Sequence, residues 1–466
     1  MIYIIKKNSY NIQVMKNKLT NRLLKAIPGG AHTYSRGYDQ FPYNSPEILA
    51  KGKGAYVFDN KGNKFLDFSM GLRSVNVGYA ENFINDGAIK EISNGNNLSK
   101  PSLIELKAAE QMISLIKSID MVKFTKNGSS AVTAAVKLAR AYTNKKIILR
   151  CSDHPFFSYD DWFIGSTIVN RGIPKEISRL TIQFKYNDID SLKKIVKKYK
   201  NNIAAILLEP ATTICPIPKE KCCGMINCKF NFKKEDNFLK QVRKLCSESK
   251  IVMILDEMIT GFRWSLGGAQ ELYGVTPDIS TFGKAMANGF SLACVGGKRK
   301  IMELGSIEFK DRERVFLLST THGAEMASLG AFIKTIEFLK KKKVIDKNWE
   351  TGKKIMSNFN AISKSNGLRE YVYASGFACS PIFTTLDAEC KISASFRTLL
   401  LECMINCGIL LPNGWFSFCY RHSDKEINKF SIALEKSLFI YKKALKYGVK
   451  QYLKGDIVKP VFRKFN

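Results

Sequence analysis

A chain of 466 residues, 45% hydrophobic and 24% charged, with 32 Gly and 13 Pro, is long enough for two or three packed domains and a sizeable core. Its 11% aromatic content and the absence of any biased tract or recurring period exclude low-complexity disorder and fibrous repeats. The net charge of +32, from 73 Lys and Arg against 41 Asp and Glu, is spread along the chain with no reading helix and no aromatic-basic repeat, so no nucleic-acid partner is expected.

Residues 1–7 hold only a few apolar side chains before charge intervenes, so neither a secretory segment nor a membrane span is expected there. With 12 Cys in a long chain, reduced thiols in the cytoplasm are the expectation rather than a disulfide framework. Residues 54–68 carry a hairpin signal, Asp59-Asn60-Lys61-Gly62-Asn63, between apolar strands. Through the middle, short Ile-, Val- and Leu-rich runs at 121–125, 146–150, 203–208 and 251–255 read as strands buried on both faces. Helical spacing fills the gaps at 102–119, 129–142 and 236–248, the last opening on a capping Asp236. That alternation predicts an α/β domain with a largely parallel sheet. The lysine runs at 197–198 and 340–343 fall at the ends of amphipathic patterns, where they complement a helix dipole. Cys215, Cys222, Cys223, Cys228 and Cys246 lie in or just beyond a loop-like stretch, but they lack a paired C-x-x-C and a nearby His, so no metal is expected. Beyond about residue 335 helix mixes with short strands, and the basic, aromatic tail 446–466 has no assignable structure.

Two places carry chemistry. Lys126-Asn127-Gly128-Ser129-Ser130 turns a strand into a helix, which places free amides and hydroxyls where a phosphate could sit, although Gly-Ser-Ser before a helix is also an ordinary N-cap. Residues 251–257 form an apolar strand ending in Asp256 and Glu257, and Lys284 follows in Thr281-Phe282-Gly283-Lys284. A buried Asp can keep a pyridine nitrogen protonated while a desolvated Lys bonds to the same cofactor's aldehyde. The competing reading is a strand-end cap and an exposed Lys.

The run from Leu255 to Trp264, the run from Leu266 to Ile279, and Thr281 to Lys284 together resemble the class III pyridoxal-phosphate aminotransferases, in the branch that contains glutamate semialdehyde aminomutase. Pro28-Gly29-Gly30, Asn127-Gly128-Ser129, Leu208-Glu209-Pro210 and Ser319-Thr320-Thr321-His322-Gly323 add to the likeness. The resemblance implies fold type I: a large domain with a mostly parallel seven-stranded sheet, expected over 76–334, and a small α/β domain built from both ends, over 1–75 and 335–466. It implies pyridoxal 5'-phosphate bonded to Lys284, with Asp256 at the pyridinium nitrogen. Gly128 and Ser129 would hold the phosphate, and Thr321 would reach it from the neighbouring subunit of a homodimer with shared active sites.

The sequence departs from the family where Tyr-His-Gly is usual: Phe156 aligns as the ring stacked on the cofactor and Phe157 takes the His position, with His154 offset. Ser130 replaces a Glu, and 215–232 looks like an insertion. Arg36 lies at the offset from Gly30 where the aminomutase carries its carboxylate-binding Arg, and Arg73 is a second cation near the expected site. The favoured reading is a transaminase acting on a small-molecule amino donor and a carbonyl acceptor, carboxylate-bearing. An aminomutase making 5-aminolevulinate and a non-enzymatic binding protein on the same scaffold stand as alternatives.

Overall fold

The computed structural model describes residues 18–217 and 235–465. After a first helix, Lys18–Ala26, come three antiparallel strands, β1 (Leu49–Lys53), β2 (Tyr56–Asp59) and β3 (Lys64–Asp67). The expected hairpin turn joins β2 to β3. Asp59 Oδ1 accepts the amides of Lys61 at 2.9 Å and Asn63 at 2.8 Å, and Gly62 supplies the positive φ of +87° that the tight turn requires.

The central sheet then assembles from β4 (Met121–Thr125), β5 (Ile147–Cys151), β6 (Thr181–Phe184), β7 (Ile203–Leu208), β8 (Val252–Asp256), β9 (Ile279–Phe282) and β10 (Ala293–Gly297). Their order is β4-β10-β9-β8-β7-β5-β6; every pairing is parallel except the two that β10 makes with β4 and β9. Apolar throughout, β7 and the first four residues of β8 are buried on both faces, because helices cover both sides of a parallel sheet. Asp256, the last residue of β8, is therefore delivered to the carboxyl edge of the sheet, where open α/β sheets place their ligands.

The C-terminal part packs helices Val344–Ser365, Ala394–Asn406 and Asp424–Tyr447 around the hairpin of β11 (Val372–Phe377) and β12 (Ser380–Thr385). Strand β13 (Ile409–Leu410) then adds in parallel to β3, so both ends of the chain share one four-stranded sheet. The tail lies across that junction: the Val458 amide donates to Thr398 Oγ1 at 3.0 Å, and the Lys459 amide to the Asp39 carbonyl at 3.0 Å.

Several expected boundaries move. The helix read over 102–119 spans Leu103–Leu115: Ser102 caps it through a reciprocal box with Glu105, and the chain then bends so that buried Ser118 reaches Gln270 Oε1 at 2.6 Å before β4 begins. The helix read from Asp236 is Phe238–Glu248; its cap is Asn237, whose Oδ1 takes the Lys240 amide, while Asp236 binds the Gln241 side chain instead. Lys197 and Lys198 close one helix and Lys340 and Lys341 another, as their dipole role requires. Cys222, Cys223, Cys228 and most of the 215–232 stretch lie outside the described residues, as do residues 1–7. Among the described residues no three metal-ligating side chains converge, and no helix is long and apolar enough to cross a membrane.

Candidate active site

The floor of the site is made from strand ends. Asp256 is 3% exposed; its Oδ1 accepts the Met258 amide at 3.0 Å and the Thr281 hydroxyl at 3.0 Å. Among the described residues nothing hydrogen-bonds its Oδ2. Burial first, and then the neighbouring Glu209 carboxyl, push Asp256 up to about 7. Immediately after β9, Lys284 stands in the left-handed region at φ +44°, a strained setting for a residue with a long side chain. Burial lowers the Lys284 ammonium, the charges of Asp256 and Glu209 pull it back up, and Arg73 and Arg263 push it further down.

Met258 ties the phosphate cup to this floor. Its Sδ lies 2.9 Å from where a Cβ on Gly128 would stand and 2.6 Å from where one on Gly283 would stand. The segments carrying Gly128, Asp256 and Lys284 therefore meet around one thioether, and a side chain at either glycine would displace it. Gly128 opens helix Gly128–Thr143; Asn127 caps it by accepting the Ser130 amide at 2.9 Å. The amides of Gly128 and Ser129 have no acceptor among the described residues, which leaves two N–H donors at the positive end of a helix.

The aromatic segment is pinned at both ends of this floor. The Tyr159 amide donates to Ser129 Oγ at 3.2 Å, and His154 Nδ1 accepts the Glu209 amide at 3.1 Å. His154 is buried with its pKa pushed down to about 3 by desolvation, so its ring is neutral, and its Nδ1 serves the backbone. Phe157 is sealed in the core, edge-on to His154 and Phe163, whereas Phe156 is 47% exposed and meets Phe163 edge-on at 5.8 Å between the two anchors.

The opposite wall is irregular. Met70, Gly71, Leu72 and Arg73 have φ of +46°, +60°, +59° and +68°, a complete left-handed turn in which only one residue is glycine. Such a conformation costs about 1–2 kcal/mol for each non-glycine residue. Asp67 holds it, accepting the Ser69 amide at 2.7 Å, the Met70 amide at 3.1 Å and the Tyr79 hydroxyl at 2.6 Å. Arg263, fully buried, donates to the Arg73 carbonyl at 2.6 Å and to Ser417 Oγ at 3.3 Å. Asn288, four residues beyond Lys284, accepts the amides of Asn76 and Val77, which fixes this wall against the floor. The Arg73 guanidinium is buried and stacks over Trp415, 4.3 Å from the ring centroid; burial pushes it down to about 10.

The structure thus brings Lys284, Asp256, Gly128, Ser129 and Arg73 to one place and ties the Phe156 segment to it. Arg36 stands on the exposed turn Tyr34–Arg36 with no ion pair among the described residues, and Thr321 is exposed on the loop before helix Met326–Lys341. Sequence reasoning did not assign Glu209, Arg263, Trp415 or Met258. Glu209 was within reach: like Asp256, it is a carboxyl delivered by a wholly apolar strand, and β7 and β8 are parallel neighbours with Leu208 opposite Leu255. It is 4% exposed, accepts the Thr212 hydroxyl, and is pushed up by burial.

A family model described as aminotransferase class-III matches residues 34–384. A 3-aminobutyryl-CoA aminotransferase of Cloacimonas acidaminovorans is 32% identical over 90% of this chain and 95% of its own length. A glutamate-1-semialdehyde 2,1-aminomutase of Francisella philomiragia is 27% identical over 91% of this chain and 99% of its own. Among solved structures, the PLP form of the FumI protein of Sphingopyxis sp. MTA144 superposes with a TM-score of 0.79 at 21% identity, covering 92% of this chain and 97% of that one.

Proposed function

The chain belongs to the class III aminotransferases, and from that membership we propose that it is an intermolecular transaminase, taking the amino group of a carboxylate-bearing donor and passing it to a carbonyl acceptor in a second half-reaction. The observation that carries this reading is the pairing of Asp256, with a free Oδ2, and the desolvated Lys284 on one floor. Pyridoxal 5'-phosphate is the family's cofactor, and the residues present fit it: among the described residues, a carboxylate oxygen without a partner, two helix-terminal amides without acceptors, a half-exposed aromatic ring and an amine with lowered basicity.

When bound, the cofactor supplies an electron sink for the bond that breaks at the substrate carbon. Asp256 Oδ2 would hold the proton on the pyridine nitrogen, kept in aim because Thr281 and Met258 occupy Oδ1. The Gly128 and Ser129 amides would bind the phosphate, and Phe156 would cover one ring face. Lys284 would link the cofactor covalently and, once released, carry the proton taken from the substrate carbon; burial favours the neutral amine this step needs.

A homodimer belongs to this proposal. Helices Asn82–Ser93 and Leu103–Leu115 expose Ile89, Ile92, Leu103 and Leu106, each more than half open, and so present an apolar face of the sort subunits bury. Exposed Thr321 is then free to complete the partner's phosphate cup. Intermolecular transfer is favoured because the residues beside Arg36 depart from the aminomutase pattern, and the aminotransferase relative at 32% identity supports it. Supplying glutamate semialdehyde alone tests it. No conversion is expected without a keto acid; efficient formation of 5-aminolevulinate with no release of intermediate would make the chain an aminomutase.

A further inference from the structure

The left-handed turn of residues 70–73 ends on a guanidinium that the protein itself leaves unanswered. Arg73 has five N–H donors, and no described residue accepts a hydrogen bond from any of them. Its Nε is sealed from water without a partner, and among the described residues no carboxylate lies within ion-pair distance. A buried cation with unmet donors is costly unless something supplies the acceptors. The turn beneath it is strained as well, and Asp67, Tyr79 and Arg263 are all committed to holding that strain in place. Fixed strain of this kind, at the edge of a site, points to a geometric requirement of a ligand.

The requirement can be stated chemically. The guanidinium carbon lies over the Trp415 ring, 4.3 Å from its centroid, and the planar fork of unpartnered N–H donors around it matches a planar two-oxygen acceptor. Arg73 and Arg263 are both buried beside Lys284, and neither forms an ion pair with a carboxylate among the described residues. Arg263 is not the receptor, because its two terminal nitrogens are spent on the Arg73 carbonyl and Ser417. Arg36 is exposed, and nothing described orients it.

We propose that Arg73, presented by the left-handed turn and flattened against Trp415, is the receptor for the substrate carboxylate, with Arg263 and Asp67 as its positioning residues. This rests on the transaminase reading and deepens it: the chain is selective for amino acids over simple amines through Arg73, and Arg36 is dispensable for that selectivity.

The test pairs each amino acid of a donor panel with the amine in which a methyl group replaces the carboxylate, for example 3-aminobutyrate with 2-aminobutane. The acid-to-amine ratio of kcat/KM is read for wild type, Arg73→Met, Arg73→Lys and Arg36→Met holoenzyme. Binding of a carboxylate without an amino group, 3-methylbutanoate, is measured on the same proteins by calorimetry. Arg73→Met should lower both the ratio and the carboxylate affinity by on the order of 10- to 100-fold, the worth of a buried charged hydrogen-bond pair. Arg73→Lys, which keeps the charge but not the fork, should fall between, and Arg36→Met should match wild type. An unchanged ratio and affinity in Arg73→Met and Arg73→Lys, or their collapse in Arg36→Met alone, would overturn the proposal. If no donor is turned over by wild type, the transaminase reading fails, and the calorimetric arm still decides Arg73. If Arg73→Met does not fold, Arg73→Lys and Trp415→Leu carry the same comparison.

Discussion

The two sides of this site are built on opposite principles. The floor, with Asp256, Glu209 and Lys284, uses regular elements: each residue lies at or within two positions of the end of a buried parallel strand, and the sheet's register fixes where the side chain emerges. The wall, with Arg73, uses a turn that the backbone disfavours, held by buried hydrogen bonds that Asp67 accepts and Arg263 donates. If Lys284 and Asp256 carry the chemistry and Arg73 reads the substrate, as proposed, the difference is a division of labour. Chemistry shared by a family is placed where topology guarantees position, whereas discrimination among substrates is placed where a few side chains can alter it without disturbing the sheet.

If that division is right, damage to the floor should remove reactivity and damage to the wall should redirect it. The largest effect is expected from Lys284→Ala. Turnover should fall by on the order of 10^4-fold or more, as for loss of a covalent catalytic group. Borohydride reduction followed by peptide mapping should place the cofactor on Lys284 in wild type only, and a label elsewhere removes the assignment. Next comes Asp256→Asn. The cofactor should still bind, but kcat should drop by roughly 10^2- to 10^3-fold against all donors alike, since a neutral amide cannot hold the ring proton. A selective loss confined to carboxylate donors would blur floor and wall together.

A smaller effect should come from across the subunit boundary. Thr321→Ala should weaken cofactor retention on dilution by about 10-fold, one hydrogen bond to a charged group, without changing the acid-to-amine preference. Full retention at concentrations where the protein is monomeric would contradict the shared cup. The smallest effect concerns pH. In the cofactor-free chain the buried Asp256 carboxyl is raised from 3.8 to about 7, so the folded state holds a proton that the unfolded state has released. The stabilisation this gives is complete below pH 3.8 and is lost as pH rises through 7. The apoprotein Tm should therefore fall by roughly 3–5 °C more between pH 5 and 7.5 in wild type than in Asp256→Asn, followed by calorimetry. Asp278, lowered by Lys298 and Arg243, titrates on the acid side of that window and leaves the difference untouched.

The same division explains what could be read from the sequence. The strand at 203–208 was visible because burial on both faces leaves only Ala, Ile and Leu, and the carboxyl that ends such a run stands out; 121–125 is a strand too but not one buried on both faces, since it lies at the sheet edge with Lys123 exposed. The amine at Lys284 was found through its surroundings, by resemblance, since a lone Lys after a strand carries no signal of its own. The wall was hidden. Met70, Leu72 and Arg73 are residues for which a left-handed backbone is the last expectation, and of the groups that hold it Asp67 carries no signal of that role while Arg263 comes from 190 positions away. Trp415 was equally unreadable, because its partner lies in the other half of the chain.

The sheet shared by the two chain ends also sets an order of assembly. Strand β13 pairs with β3 only after nearly all of the polypeptide has left the ribosome, and Asn44 finds the Glu402 carbonyl 358 positions away. Closing so long a loop comes late, whereas β5, β6, β7, β8 and β9 pair with strands nearer in the chain and can form first. A nascent chain should accordingly possess its reactive lysine and carboxylate before it possesses Trp415, the surface against which Arg73 is flattened. The last part of the protein to be made would then be the part that lets it choose a substrate.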